Sequence, residues 1–173
     1  AIYVMDRIKS FLYEEPFGSS LIGTEETMNP IDRTKLLEKF KEVYQPNNMV
    51  LCVVGDADFD KLIKFLEKKF ESKKGKVKKL KIKQKTGSKI EARKGLDQAN
   101  LIFAYHIPLS QDKKSYSARV LSALMAVGMS SRLFTEIREK RNLAYNVHGE
   151  SSINKDFSYN IIYVGTSKNN IEK

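Results

Sequence analysis

Apolar residues along this chain recur with two different periods, arranged in blocks. In the first half, Val4, Met5, Ile8, Phe11 and Leu12 lie at helical spacing, and the Glu14-Glu15-Pro16-Phe17-Gly18 run ends the pattern. After a Gly/Ser loop to Pro30, Leu36, Leu37, Phe40 and Tyr44 form a one-sided stripe that Asp32 can cap. A second stripe, Phe59, Leu62, Ile63, Leu66 and Phe70, has Asp58 at its cap position. Between the stripes, Met49 to Val54 is short, continuously apolar and rich in β-branched residues, which predicts a buried strand with Cys52 as a small buried hydrophobe. In the second half a strand is expected over 99–107, ended by Pro108, followed by a helix from about Ser115 to Val127. Strands near 144–152 and 157–165, turning at Asn154-Lys155-Asp156, predict an antiparallel hairpin. The fold class is α+β, a sheet packed by helices.

The stretch from Met129 to Tyr145 carries the most chemistry. Leu133, Phe134 and Ile137 recur at helical spacing, while Arg132/Glu136 and Glu136/Lys140 are four apart and can pair on the outer side. Ser130 or Ser131 can cap the start, and Asn142 stands where helices commonly end in a left-handed residue. The chain then alternates as a strand, so that Arg138 and Tyr145 flank one corner. A guanidinium can hold peptide carbonyl oxygens and a phenol can donate to a developing oxyanion. Residue type alone favours a plainer reading, an exposed helix arginine and a half-buried strand tyrosine.

This stretch resembles the signature of the second, non-metal-binding domain of the insulinase/pitrilysin/processing-peptidase family of zinc metallopeptidases. The family's helix reads close to Ser-Ser-Arg-Leu-Phe-x-Glu-x-Arg-Glu-Lys-Arg-Gly-Leu-Ala-Tyr, and this chain departs from it chiefly by Asn142 in place of glycine. The swap is mild, because both residues accept a left-handed corner. Phe17 to Glu26, Tyr44 to Asp56 and Gln98 to Pro108 resemble further family segments in the family's order. The resemblance implies that Arg138 and Tyr145 bind substrate and support the transition state across a chamber from the zinc. It also implies zinc in the intact enzyme, held by an inverted His-x-x-Glu-His motif with a distal Glu. That motif does not occur here: the two histidines, His106 and His148, have no partnering pattern.

The expectation is therefore a fragment of a zinc metalloendopeptidase that supplies chamber wall and substrate contacts, inactive by itself, with the metal residues upstream. Residues 1–72 would be the C-terminal part of the first domain, 73–94 a basic linker, and 95–173 the start of the second. Both ends of the chain would then be truncations. Expected partners are a peptide or protein substrate, and the rest of the polypeptide or a partner subunit, a homodimer included, to complete the chamber. The competing reading is a non-catalytic homologue acting as a structural or partner subunit.

Charge adds a third class and then disfavours it. The 173-residue chain carries a net charge of +10, but eleven Lys/Arg and one acid fall within 73–94, and the flanks sum to neutrality. The tract from Lys73 to Lys85 lacks the aromatic residues on which single-stranded bases stack, so a linker or a lysine-protected edge is favoured over nucleic acid or another anion. The carboxylates Glu25 and Glu26, adjacent in sequence, suit a solvated or helix-capping role. No stretch approaches the ~20 apolar residues of a membrane helix. The single Cys52 excludes an internal disulfide and is compatible with a reducing compartment, the cytoplasm being the expected one.

Overall fold

The computed structural model describes residues 2–70 and 80–173. These form two compact units, residues 2–22 with 82–173, and residues 23–70 with 80–81.

The larger unit is built on a three-stranded antiparallel sheet of β1 (Gln98–His106), β2 (Ala144–Ile153) and β3 (Ser158–Ser167), in the order β1-β3-β2. Central β3 pairs Ile161 with Ala104 on one side and Glu150 on the other, and its alternate residues face opposite layers. One layer is α1 (Ile2–Leu12), whose helical spacing presents Met5, Ile8 and Leu12 to Ile161, Ile102, Ala104 and Tyr159. Tyr13, just past the helix, is fully enclosed in this cluster, edge-on to Phe17 at 5.0 Å, and its hydroxyl donates to the Ser158 carbonyl at 3.4 Å. Gly18 closes under it, because a Cβ there would lie 2.2 Å from the Tyr13 carbonyl oxygen.

The opposite layer is α5 (Lys114–Ala126). Its small residues permit close approach: a Cβ on Gly149 of β2 would fall 2.7 Å from that of Ala126. Asn160 of β3, fully buried, donates to the Ala118 carbonyl and the Tyr105 hydroxyl, filling donors that burial would otherwise strand. On the same face Phe134, Ala144 and Val147 form a second cluster with Leu133, Ile137 and Val164.

The smaller unit holds the helices α2 (Glu25–Met28), α3 (Arg33–Val43) and α4 (Phe59–Lys69). The side chains of Asp32 and Asp58 accept from the amides of Lys35 and Lys61, at 2.8 and 3.1 Å, as their cap positions predict. Glu25 and Glu26 occupy the first turn of α2, a short helix within the expected loop, where Thr24 and Thr27 form a reciprocal cap.

Residues 49–54 correct the sequence reading. They form no strand, Val50 and Val54 are almost fully exposed, and Cys52 is exposed rather than buried. A strand exists only through a ladder with a neighbour, and no other strand lies in this unit among its described residues.

Residues 73–79 of the lysine tract lie outside the described residues. From Leu80 onward, Gln84 bridges antiparallel to Tyr13, Glu14 donates to the Lys83 carbonyl, Lys85 to the Leu12 carbonyl, and Ile82 packs on the α1 cluster. No helix among the described residues is long and apolar enough to cross a membrane.

Candidate substrate-contact site

The stretch from 131 to 146 departs from regular geometry at three successive places. Arg132 and Leu133 start a helix that widens into a π-helical turn over Phe134–Glu139, where the Lys140 amide reaches back five residues to the Thr135 carbonyl. Neither serine caps it through its side chain: Ser131 offers its carbonyl to Thr135, and its buried hydroxyl has no partner. The turn ends at Asn142, which takes the left-handed conformation expected of it, with φ 50°. There the amides of Asn142 and Leu143 donate to the carbonyls of Arg138 and Ile137. Tyr145 then falls in a β-bulge: Ala144 pairs with Thr166 and Asn146 with Gly165, leaving Tyr145 without a partner on β3.

The π turn and the bulge each place a side chain. Arg138 lies in the last turn of the π segment, its guanidinium 4.8 Å over the Phe134 ring and 3.9 Å from Glu139. It makes no side-chain hydrogen bond among the described residues, and with 44% of its side chain exposed its donors can meet a ligand. The neighbouring charges are organised otherwise. Glu136 pairs with Lys140 at 2.6 Å and Arg141 at 3.7 Å, which holds its carboxyl below the usual range, Lys140 contributing most.

Tyr145 reaches from its bulge across β3. Its ring lies on Gly165, where a Cβ would stand 2.7 Å from the ring carbon and the hydroxyl oxygen, and its hydroxyl donates to Gln98 Oε1 at 2.9 Å. Beside it Tyr163, buried, donates to Asn100 Oδ1 at 2.6 Å. Burial, reinforced by the neighbouring Tyr145 phenol, pushes the Tyr163 pKa up. His148 packs its ring 5.0 Å from that of Tyr163, while His106 places Nε2 3.2 Å from the Lys85 carbonyl and packs on Tyr13.

The structure thus sets Arg138 and Tyr145 on either side of the Asn142 corner but does not bring the side chains together. Arg138 is anchored from the face that carries Phe134, Tyr145 from the face that carries Tyr163, and no interaction joins them among the described residues. Tyr145 remains 45% exposed. Gln98, Tyr163 and Gly165 were not singled out in the sequence. The available signal was Gly165, a lone glycine inside a β-branched strand, which marks close approach of another group. Among the described residues no three His, Cys, Asp or Glu side chains converge to hold a metal ion, so these residues do not fit a zinc site.

Comparison with known proteins agrees with the sequence resemblance. Residues 30–173 match the family model described as the peptidase M16 inactive domain. An uncharacterized zinc protease of Rickettsia felis is 29% identical over 172 residues, covering 98% of this chain and 42% of that protein. Another, of Bacillus subtilis, is 32% identical over 158 residues, covering 90% and 38%. A solved protease from Helicobacter pylori superposes with a TM-score of 0.70 at 24% identity, covering 92% of this chain and 40% of its own. A solved peptidase M16 inactive domain from Pseudomonas fluorescens gives 0.68 at 19%, covering 95% and 41%. The chain therefore spans about two-fifths of the length of these relatives.

Proposed function

Because the chain belongs to the peptidase M16 family, we propose that it serves in an intact zinc metalloendopeptidase as a wall of the peptide chamber, with Arg138 and Tyr145 as substrate contacts. On this reading residues outside the chain hold the zinc, and the polypeptide is completed by further sequence or by a partner subunit. Residues 1–72 would belong to the end of the first domain and 95–173 to the second, joined by the basic segment.

One observation carries the assignment of residues. Three departures from regular geometry fall within thirteen residues, and they bracket the arginine and the tyrosine that the family signature matches. A π turn and a bulge each cost regular hydrogen bonding, and both are concentrated near functional sites because they re-aim side chains. The two groups so aimed are also half exposed, one with unused donors and one with a hydroxyl. Arg138 would hold a carbonyl or carboxylate oxygen of the bound peptide. Tyr145 would donate to oxygen on which negative charge develops, a contact worth about 10²–10³ in turnover when it acts in the transition state.

The test is made in the full-length protein. Tyr145→Phe and Arg138→Ala should each lower peptide turnover by about 10²-fold while leaving the melting temperature close to wild type. Parallel losses of turnover and stability would assign both residues to packing, and a full-length protein that neither binds zinc nor cleaves peptides would favour the non-catalytic subunit. The 173-residue chain by itself should come through dialysis without zinc and leave peptides uncut.

A further inference from the structure

Glycine at 165 is not explained by backbone conformation. Its φ lies outside the left-handed region, and its strand neighbours Val164 and Thr166 are ordinary β-branched residues. What glycine provides is space, because Tyr145 occupies the volume a side chain would fill. The ring lies on the strand and its hydroxyl reaches Gln98 of β1, two strands away from the bulge it starts from. Along this line of the sheet Asn100 pairs with Gly165 and carries the hydroxyl of Tyr163. The side wall of the seat is therefore itself hydrogen-bonded and packed.

We propose that Gly165 and Gln98 are positioning residues that seat the Tyr145 phenol, Gly165 by offering bare backbone to the ring and Gln98 by accepting the hydroxyl's hydrogen bond in the free protein, a bond the single O–H gives up when it turns to the substrate oxygen. The inference rests on the reading of Tyr145 as a substrate contact and says how that contact is aimed. Without the bulge residue 145 would pair with a residue of β3 and its side chain would follow the strand's alternation. With any side chain at 165 the ring would have to lift off the sheet, carrying the hydroxyl away from Gln98. The peptide backbone at 165 has no role of its own in binding on this account, and acts through Tyr145 alone.

The experiment uses the full-length protein, selectively labelled with ¹³C at the tyrosine ε carbons, and a fluorogenic peptide substrate. Tyr145→Ala identifies the Tyr145 resonance. Gly165→Ala should move that resonance and lower kcat by about 10- to 100-fold, the cost of displacing a catalytic contact by about an ångström, with little change in KM. Gln98→Leu, which keeps roughly the side-chain size but removes the acceptor, should move the same resonance. In the Tyr145→Ala background Gly165→Ala should cost no further activity, because the ring it displaces is gone. An unmoved resonance in Gly165→Ala, or an equal loss of activity from Gly165→Ala with and without Tyr145, overturns the proposal. Full turnover in Tyr145→Ala instead defeats the substrate-contact reading itself, and the inference with it.

Discussion

The sheet unit and the smaller helical unit contain similar amounts of amphipathic patterning and reach different ends. In the sheet unit α1 finds a face to cover, and Ile8, Leu12, Tyr13 and Ile161 become buried. In the smaller unit α3 and α4 are as clearly striped, yet Leu36, Phe40, Tyr44 and Phe59 stay more than half exposed. Both helices there carry an N-cap aspartate, which fixes where each one starts without reference to a distant partner. The difference shows that caps and spacing specify a helix locally, whereas burial of its stripe requires a matching surface. The run 49–54 is the same lesson for strands: helical hydrogen bonds close within a segment, and ladder bonds do not.

Truncating one aromatic in each unit should separate them most widely. Tyr13→Ala removes a fully enclosed ring and should destabilise the sheet unit by about 3–5 kcal/mol. Phe40→Ala, at 55% exposure with Tyr44 stacked on it at 4.4 Å, should cost about 1 kcal/mol or less. Urea denaturation of the chain measures both, and comparable losses would erase the distinction between the two units.

Between these extremes lies the corner of the candidate site. Asn142→Ala forces a Cβ-bearing residue without a polar side chain into a left-handed conformation and should cost about 1–2 kcal/mol, whereas Asn142→Gly should be close to neutral. If Ala and Gly behave alike in the same denaturation assay, the corner does not depend on φ at this residue.

Alkaline titration sharpens the comparison further. Burial, and secondarily Tyr159, raises the Tyr13 phenol from 10.0 to about 12. A group raised in the folded state adds stability that is complete below its unfolded value and is lost as pH climbs through the folded one. The sheet unit should therefore weaken between pH 10.0 and about 12, and Tyr13→Phe should remove that part of the dependence. An identical alkaline profile in Tyr13→Phe would assign the loss to other groups.

The smallest effect belongs to the caps. Asp58 is held below the usual carboxylate range, first by the Lys61 amide it accepts from and then by the Lys61 side chain. Its contribution is present above the unfolded value and lost as pH falls through the lowered folded one. Asp58→Ala should reduce the helical circular dichroism of the α4 region slightly and flatten its acid dependence. An unchanged acid profile would show that the cap adds nothing.

Most of the candidate site was legible because its signals are local. Asn142 announces a left-handed corner through its own side chain, and the pairing of Glu136 with Lys140 follows from a spacing of four. The π turn was not legible, since it adds one residue to a helix without changing which residues are apolar. Nor was the bulge at Tyr145, which depends on how β2 aligns with β3. Residue type lets either Ser130 or Ser131 cap the helix, but the helix takes the Ser131 carbonyl instead and leaves that hydroxyl buried.

By itself the sequence determined where α3 and α4 begin, where the chain turns at Asn142, which strands form a hairpin and which family the chain resembles. These properties arise from interactions among residues a few positions apart, or from a motif read directly as letters. Only the tertiary structure decided that Gly165 is the floor under Tyr145, that Gln98 accepts its hydrogen bond, and that Arg138 and Tyr145 are anchored from opposite faces of one sheet. Residues 98, 145 and 165 are brought together by strand register, and register is set by the packing of both faces at once, which no local pattern encodes.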